Sequence, residues 1–292
     1  MIKKAILTGG GRATRLRPIT TTINKHLIPL AGKPMIFHSI EKVVKAGIKE
    51  IFINTNPGET ELQKVVGNGD RWGVKIKFFE QTGGPQGIAH VVKQAEKFIG
   101  DDPFIFYLSD NIILGDLQDL IDKFCHNNYD SMIALAQVND PEHFGIPYFD
   151  KDGKLIDTKE KPKNPPNNLA ITGIYLFGAK VFYKAFPNIK PSDRGEYEIP
   201  DILAYLLKNK YDIGYEEISG WWKDTGKPND LLQANSLLLD QMLEGSFKIY
   251  SKDVSSTAEI NDHVLIEEGV KIGNNVKITG PAIIGKNTSL SN

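Results

Sequence analysis

The sequence predicts an α/β protein in which a mainly parallel sheet, flanked by helices, is followed by a β-helix at the C-terminus. Two patterns support this prediction. Short apolar strands alternate with helical segments between residues 4 and 138, which is typical of a parallel sheet with helices on both faces. Near the C-terminus, isoleucine and valine recur every six residues, a period that fits hexapeptide β-helix repeats rather than an α-helix or a single strand.

The elements of the α/β part follow from their local patterns. Strands are predicted at the apolar segments AILT, EIFINT, KIKFFE, FIFYL and SMIALAQV. Helices are predicted between them at KPMIFHSIEKVVKAG, ETELQKVV, GIAHVVKQAEKF and DLQDLIDKF. After Pro141 we predict strands at FGIPYFD, KLIDTKEKP and LAITGIYLF and helices at IPDILAYLLKN and DLLQANSLLLDQML. Ligands of such sheets bind beyond the carboxyl ends of the strands, so the loops at that edge are expected to carry the site.

The C-terminal repeat consists of two series of apolar residues six positions apart. One residue of each hexad is expected to point inward. Hexapeptide modules also carry acyl transfer, but His263 is the one candidate for that chemistry, so we expect a structural role and a homo-oligomer. The repeat stops at SLSN without a capping helix, which predicts a truncated segment or one closed by a partner subunit. We predict domains at residues 1–245 and 246–292, and the two series are Ile260, Ile266, Ile272, Ile278, Ile284 and Leu290, and Val264, Val270 and Val276.

Composition narrows the class of protein. The chain has 292 residues, 40% of them hydrophobic, and a formal net charge of −1, so nothing in the charge balance indicates a nucleic-acid or membrane partner. Cys125 is the single cysteine, which excludes an intrachain disulfide and fits a reducing, cytoplasmic compartment. It lies in an apolar-periodic segment, so we expect it to pack in the core. No apolar run approaches the length of a membrane span.

The opening strand, KKAILT, leads into the glycine-rich segment GGGRATRLRPIT. Such a loop suits a polyphosphate, because small residues let backbone N–H groups approach the oxygens while cations neutralise them. Gly10, Gly11, Thr14, Arg15 and Lys25 are the candidates for this role. Taken alone, the glycines could instead serve only a strand-to-helix turn. Neither GxxxxGK[ST] nor GxGxxG with a following acidic residue is present, which disfavours a P-loop NTPase and a nicotinamide dehydrogenase.

The glycine segment, together with NKHLIPLAGKPM, resembles the signature of the sugar-1-phosphate nucleotidylyltransferases, specifically the glucose-1-phosphate thymidylyltransferases. The ten-residue spacing from Arg15 to Lys25 matches that signature. The loop departs from the signature at Ala13, where the family usually has glycine, and in one extra small residue that precedes the GG pair. The resemblance extends from Lys3 to Lys227 and implies a Rossmann-like catalytic domain. The hexapeptide tail resembles the longer branch of the family, whose C-terminus is a left-handed β-helix.

Two acidic segments are similar to the family's metal-binding motifs. LSDN resembles its LGDN and WWKDTGK resembles its WxDTG, which implies that Asp110 and Asp224 bind a Mg²⁺ cofactor. Carboxylates suit Mg²⁺, a hard cation that commonly bridges protein oxygens to substrate phosphates. Each aspartate alone could instead cap a turn. The histidines show no metal-ligand spacing, so no zinc site is predicted.

Two further sets of residues are matched by the resemblance. QTGGPQGIAH is similar to the base-reading segment, which implies contacts from Gln81 and Gly87 to the pyrimidine. An additional residue before Pro85 leaves open that Gln81 is a surface residue, and Glu160 could be part of a simple strand-face salt bridge. The resemblance also implies a sugar-phosphate pocket that consists of Gly145, Glu160, Lys161, Thr172, Gly173, Arg194 and Glu196.

The reaction implied by the resemblance is transfer of a nucleotidyl group from dTTP to glucose 1-phosphate with release of pyrophosphate. The sugar phosphate is already an anion, so catalysis needs charge neutralisation and alignment rather than a general base. We assign Arg15 to the β- and γ-phosphates and Lys25 to the α-phosphate. Two alternatives stay open: the same reaction with UTP, and a non-catalytic subunit that binds nucleotide sugars.

Overall fold

A computed structural model of the chain describes residues 1–11, 13–243, 248–261 and 263–291. The helices are α1 (Met35–Lys45), α2 (Glu61–Val66), α3 (Ile88–Gln94), α4 (Glu96–Ile99), α5 (Gln118–His126), α6 (Val181–Ala185), α7 (Ile199–Lys208) and α8 (Pro228–Leu243). The strands of the first 224 residues are β1 (Lys4–Thr8), β2 (Pro29–Leu30), β3 (Lys33–Pro34), β4 (Glu50–Thr55), β5 (Lys75–Glu80), β6 (Phe104–Tyr107), β7 (Asn111–Ile113), β8 (Ser131–Gln137), β9 (Gly145–Phe149), β10 (Leu155–Glu160), β11 (Leu169–Phe177), β12 (Ile213–Glu217) and β13 (Trp222–Asp224). Those of the C-terminal part are β14 (Lys248–Ile249), β15 (Asp253–Val254), β16 (Glu259–Ile260), β17 (Val264–Ile266), β18 (Lys271–Ile272), β19 (Lys277–Ile278), β20 (Ala282–Ile284) and β21 (Ser289–Leu290).

Contacts divide the chain into two compact units. The first unit consists of Met1–Leu27 and Met35–Asp224, and the second combines Ile28–Pro34 with Thr225–Asn292. The second unit therefore includes the small hairpin of β2 and β3 from the N-terminal part of the chain. The predicted division into domains 1–245 and 246–292 stays a prediction.

The first unit contains a nine-stranded sheet with the order β10-β9-β11-β6-β1-β4-β5, in which β8 pairs with β11 and β12. Strands β6, β1, β4 and β5 are parallel, as the alternation of strands and helices predicts. Strand β11 is antiparallel to β6, β8 and β9, so the sheet is mixed and the prediction of a mainly parallel sheet is wrong outside its centre. Short connections such as residues 150–154, between β9 and β10, allow antiparallel pairing.

Helices cover both faces of this sheet. Consecutive strand residues point to opposite faces, so each central strand packs apolar side chains against both layers of helices. In β1, Ala5 and Leu7 pack into one buried cluster with apolar residues of α1, α2 and α5. Ile6 packs into a second cluster with residues of α3, α6 and α7. Each central strand is therefore apolar on both sides, which explains its continuous hydrophobic run.

The carboxyl ends of the parallel strands lie at one edge of the sheet. Thr8, the last residue of β1, is opposite Asn54 of β4. Asn54 is in turn opposite Phe79, near the end of β5. The loops that follow β1, β4, β5 and β6 therefore begin side by side, and they contain most of the predicted nucleotide-binding residues.

The C-terminal strands of the second unit form three ladders of parallel strands, β14-β17-β20, β15-β18-β21 and β16-β19. From β15 onward the paired positions lie 18 residues, or three hexads, apart, as in Ile260 with Ile278 and Ile266 with Ile284, whereas β14 and β17 pair at an interval of 17 residues. Val264, Ile266, Val270, Ile272 and Ile278 form the buried apolar cluster of these ladders. The hexad periodicity thus corresponds to many short strands with inward-facing apolar residues.

Cys125 is exposed, so the prediction that it packs in the core is wrong. The buried positions of α5 are Leu120, Ile121 and Phe124, which form one face of the helix. Cys125 lies one residue beyond this face, because successive helical residues are rotated by about 100°. Among the helices that the structure describes, none has the length and apolar character needed to cross a bilayer.

Phe104 provides a test of the core beneath α6. Its side chain is fully buried, and its ring centroid lies 5.5 Å from that of Phe177 and 5.9 Å from that of Tyr183. Phe104→Ala should lower the free energy of unfolding by about 3–5 kcal/mol in urea denaturation, because it leaves a cavity. Ile156→Ala, at a residue that is 52% exposed, is the control and should change it by less than about 0.5 kcal/mol. Equal effects of the two substitutions would contradict this assignment of the core.

Candidate active site

The glycine loop after β1 is held by the segment that ends β4. The Gly9 N–H donates to Asn54 Oδ1 at 3.1 Å, and the Gly11 N–H donates to Asn56 Oδ1 at 3.0 Å. A Cβ on Gly9 would lie 2.4 Å from Leu62 Cδ2, and one on Gly10 would lie 2.8 Å from Asn54 Nδ2. Close approach of the two segments therefore requires glycine at both positions.

Thr14 and Arg15 are exposed residues of this loop. Thr14 and Arg15 lie in the short 3₁₀ helix Thr14–Leu16, in which Leu16 is buried and Arg15 is exposed. Ala13 has φ of 42°, in the left-handed region that glycine favours. The alanine at this position thus keeps a glycine-like backbone, at a cost of about 1–2 kcal/mol. Arg15 is free to project to solvent, where a polyphosphate would approach.

Lys25 and Asp110 form an ion pair at the centre of the candidate site. Each side chain is only 16% exposed. Burial raises the pKa of Asp110, but the charge of Lys25, the field of His26 and hydrogen bonds from Lys25 and Asn111 outweigh it, so the pKa is lowered to about 2. The carboxylate is therefore charged at neutral pH, opposite the Lys25 ammonium. The structure thus brings together two residues that are 85 positions apart in the sequence.

His26 is buried beside this pair. Asn24 Oδ1 accepts a hydrogen bond from the His26 N–H at 2.8 Å and lies 3.0 Å from His26 Nδ1, which assigns the ring proton to Nδ1. Burial, and then the nearby charge of Lys25, lowers the pKa of His26 to about 3. The imidazole is consequently neutral at pH 7, and the cation of this region is the Lys25 ammonium.

Asp224 reaches the site through the pairing of β13 with β7. Its position lies opposite Asn111, the residue that follows Asp110. Asn111 Nδ2 donates to Asp110 Oδ1 at 3.1 Å, while Asn111 Oδ1 accepts from the Gly173 N–H at 3.2 Å and from Trp222 Nε1 at 2.7 Å. Asn111 therefore links the two aspartate segments to β11. Sequence reasoning missed this residue, although its place directly after Asp110 in LSDN was the available signal.

The donor chemistry of the two aspartates fits Mg²⁺. Lys25 holds Asp110 in its ionised form. Asp224 ends β13 and is paired with Asn111, the residue that follows Asp110. Within the described ranges of the chain, no three His, Cys, Asp or Glu side chains gather in one metal-binding group. Mg²⁺ commonly takes one or two carboxylates together with waters and substrate phosphates, so two aspartates are a sufficient protein contribution.

The residues of the predicted sugar-phosphate pocket come from β9, from β10 and the residue after it, from β11 and from the segment before α7. Gly145 is opposite Glu160 in the ladder of β9 and β10. Glu160 Oε1 lies 2.7 Å from Lys161 Nζ and 3.2 Å from Arg194 Nη2. A Cβ on Gly145 would lie 3.3 Å from Glu160 Oε2, so glycine leaves space beside the second carboxylate oxygen. This arrangement gives one carboxylate and two cations at one place.

Glu198 is a further member of this cluster that sequence reasoning missed. Its side chain is 5% exposed, and its Oε1 lies 2.7 Å from Arg194 Nη2. Burial raises the pKa of Glu198, although Arg194 opposes this shift. Arg194 is thus shared between Glu160 and Glu198, which holds its guanidinium beside the pocket. The four-residue spacing of Arg194 and Glu198 was the signal for this pair.

The predicted base-reading loop packs against the sugar-phosphate loop. Gly87 has φ of 89°, and a Cβ there would lie 2.5 Å from the Tyr197 carbonyl oxygen and 3.0 Å from Glu196 Cβ. The Tyr197 N–H donates to the Gln86 carbonyl at 2.8 Å. Gln81 directly follows β5, and its N–H donates to a β4 carbonyl at 2.9 Å. The structure therefore brings Gly87 and Glu196 together and places Gln81 at the same edge of the sheet.

Thr172 and Gly173 lie within β11 and differ in what they can offer a ligand. The Thr172 side chain is fully buried, and its hydroxyl donates to the Ala134 carbonyl at 2.9 Å. Its side chain is thus directed into the fold, which leaves the main chain for contact with a sugar. A Cβ on Gly173 would lie 2.6 Å from Leu108 Cβ, so glycine is needed where β11 passes the segment before Asp110.

Comparison with known proteins identifies the family. The sequence model described as nucleotidyl transferase matches residues 4–241, which is most of the chain. The chain belongs to the nucleotidyl transferase family. The family resemblance of the glycine loop and the predicted enzyme class are thereby confirmed.

Individual relatives agree with this family. The low-salt glycan biosynthesis nucleotidyltransferase Agl11 of Haloferax volcanii is 43% identical over 238 residues, which cover 81% of this chain and 66% of that protein. A glucose-1-phosphate thymidylyltransferase of Streptomyces griseus is 36% identical over 289 residues, 99% of this chain and 79% of that protein. A crystal structure from Bacillus anthracis, assigned as a glucose-1-phosphate thymidylyltransferase and solved with sucrose, is 37% identical and has a TM-score of 0.75, covering 80% of this chain and 94% of that one. The chain thus spans between 66% and 79% of the length of the two curated relatives.

The lowered pKa of His26 predicts a pH dependence of stability. The unfolded chain takes up a proton on this residue near pH 6.5, whereas the folded chain rejects it down to about pH 3. The contribution of His26 is therefore complete above pH 6.5 and is lost as the pH falls, by at most about 1.4 kcal/mol per pH unit. In EDTA, His26→Gln should make the free energy of unfolding less dependent on pH between about 6 and 4.5 than it is in the wild type. His126→Gln, at an exposed histidine, is the control, and a wild-type slope for His26→Gln would refute the assignment.

Proposed function

We propose that the protein transfers a thymidylyl group from dTTP to glucose 1-phosphate, forming dTDP-glucose and pyrophosphate with Mg²⁺ as cofactor. The observation that carries this proposal is the partly buried Lys25–Asp110 ion pair. Asn24, beside Lys25, donates to the Gly9 carbonyl at 2.8 Å, and Asn111, beside Asp110, lies opposite Asp224. A cation for phosphates, a glycine loop and two metal-binding carboxylates are thus joined through adjacent residues.

The reaction is a direct in-line displacement at the α-phosphorus of dTTP. A phosphate oxygen of glucose 1-phosphate forms the new P–O bond as the bond from the α-phosphorus to the β-bridging oxygen breaks. The electron pair of the broken bond leaves with pyrophosphate. The attacking oxygen is already anionic, so no proton has to be removed, and the barrier arises mainly from repulsion between two polyanions.

Cationic residues of the chain reduce this repulsion by neutralising the phosphates. Lys25 is assigned to the α-phosphate, because Asp110 fixes its ammonium in a partly dry site where a charge acts strongly. Exposed Arg15 is assigned to the β- and γ-phosphates that leave as pyrophosphate. When bound by Asp110 and Asp224, Mg²⁺ supplies further positive charge at the reacting phosphates. The backbone of Gly10 and Gly11 and the Thr14 segment complete the polyphosphate site.

The cluster around Glu160 suits a sugar phosphate. A carboxylate accepts hydrogen bonds from two sugar hydroxyls, and Lys161 and Arg194 supply positive charge for the phosphate. Gly145 leaves space beside Glu160 Oε2, and Glu196 lies against Gly87 of the predicted base-reading loop. The sugar phosphate and the base are thereby assigned to neighbouring loops, as a displacement between two bound substrates requires.

We also infer that the C-terminal ladders belong to a left-handed β-helix that supports a homo-oligomer. The support for this inference is the 18-residue interval between paired parallel strands together with the inward-facing apolar cluster. A β-helix turn of three hexads has the same interval. The activity itself is assigned to the first unit, which contains every residue of the proposed site.

The activity is tested by pyrophosphate release from glucose 1-phosphate with dTTP, UTP, ATP, GTP and CTP in turn, with Mg²⁺ or with EDTA. Release should be fastest with dTTP and should disappear in EDTA, because the two aspartates lose the cation that they share with the phosphates. UTP is the informative competitor, because it differs at the pyrimidine by one methyl group. Faster pyrophosphate release with UTP than with dTTP would assign UTP as the substrate. No release with any nucleotide would favour the non-catalytic alternative.

A further inference from the structure

Glu59 is an acidic residue beside the polyphosphate loop that the proposed reaction does not use. It lies in the turn between β4 and α2 and is partly buried. Its Oε1 accepts a hydrogen bond from Asn24 Nδ2, and its Oε2 accepts one from Asn56 Nδ2 at 2.9 Å. A carboxylate close to a triphosphate site repels the ligand, so its presence there calls for a physical reason.

The reason lies in the orientation of the two asparagine side chains. An ionised carboxylate has only acceptors, so each asparagine must turn its NH₂ group towards Glu59. Asn56 Oδ1 is then directed to the Gly11 N–H at 3.0 Å. Asn24 Oδ1 is directed to the His26 N–H at 2.8 Å, while Asn24 Nδ2 also donates to the Gly9 carbonyl at 2.8 Å.

The two amides therefore act on Gly9 and Gly11 of the glycine loop and on the backbone beside Lys25. Asn56 binds the loop at Gly11, and Asn24 binds it at Gly9 and lies next to Lys25 in the chain. The turn that carries Glu59 is itself fixed, because the Gly58 N–H donates to Glu80 Oε1 at 2.8 Å at the end of β5. A single carboxylate thus sets the orientation of Asn24 and Asn56, two of the three asparagines that bind the described residues of the glycine loop.

We propose that Glu59 is a positioning residue for the nucleoside triphosphate: by orienting Asn24 and Asn56, it holds the glycine loop in the conformation that grips the polyphosphate. This inference rests on the proposed nucleotidyl transfer, and it adds a residue to that site. Glu59 does not touch the substrate in this account. Its effect is transmitted through the hydrogen bonds of the two asparagines.

Glu59→Gln separates this role from simple electrostatics. The glutamine NH₂ would face an asparagine NH₂, so one asparagine must flip and present its NH₂ to a backbone N–H, or one bond is lost. The KM for dTTP should rise by about tenfold, as should the KM for pyrophosphate in the reverse reaction. The KM for glucose 1-phosphate should stay within about twofold. If Glu59 acted only by repulsion, the KM for dTTP would fall instead.

The second substitution Asn56→Asp provides the rescue. In the double variant Glu59→Gln/Asn56→Asp, the glutamine NH₂ has a carboxylate oxygen to bind, and the other oxygen at position 56 still accepts from the Gly11 N–H. The KM for dTTP should therefore return to within about threefold of the wild type. Asn56→Asp alone sets two carboxylates against each other and should raise the KM for dTTP. Glu61→Gln, at an exposed residue of the first turn of α2, is the matched control.

The experiment measures steady-state kinetics and the thermal midpoint of all five proteins, including the wild type. Impaired Glu59→Gln and Asn56→Asp variants, an unimpaired Glu61→Gln control, a restored double variant and similar thermal midpoints support the proposal. An unchanged or lowered KM for dTTP in Glu59→Gln, or no recovery in the double variant, overturns it. A wild type that releases no pyrophosphate with any nucleotide refutes the proposed function itself, and this outcome is distinct from a normal wild type with unaffected variants.

Discussion

The partly buried ion pair of Lys25 and Asp110 is the interaction on which the rest of the candidate site depends. Removing two charges from water costs several kcal/mol each, so such a pair persists only where further polar groups support it. Here Asn111 donates to Asp110, and Asn24, beside Lys25, fixes the His26 backbone and the glycine loop. The pair thus joins the loop after β1 to the segment after β6. A polyphosphate that enters this site meets a cation already held in place, which lowers the cost of organising it during reaction.

The central parallel strands explain why these residues meet. Strands β6, β1, β4 and β5 end at one edge, and each contributes a loop with polar side chains. Asn54 and Asn56 of the β4 segment accept hydrogen bonds from the N–H groups of Gly9 and Gly11, so these two positions of the glycine loop are held before any ligand binds. The antiparallel strand β11 closes the other side and brings Gly173 against Asn111. The location of the candidate site therefore follows from the sheet topology, because the loops after the central parallel strands begin side by side.

Much of the fold could be predicted from the sequence, because apolar periodicity directly reflects burial on a strand, helix or hexad repeat. The direction of β11 could not be predicted, since alternation shows which residues are buried but not which neighbour a strand pairs with. Cys125 shows the limit of a helical pattern, where a shift of one residue moves a side chain from the core to solvent. Among site residues, Lys25 and Asp110 were readable from motifs. Glu59 was not, because its importance comes from contacts with Asn24 and with the glycine loop, which only the fold brings near.

The central claim is that Asp110 and Asp224 hold one metal ion at the phosphates that Lys25 contacts. Binding of Mn²⁺, an octahedral substitute for Mg²⁺, can be measured by electron paramagnetic resonance in the presence of saturating dTTP. Asp110→Asn and Asp224→Asn should each weaken Mn²⁺ binding by about tenfold or more, because each removes a charged ligand. Asp150→Asn, in the turn between β9 and β10, should bind Mn²⁺ as the wild type does. Equal Mn²⁺ affinity in all four proteins would contradict the account.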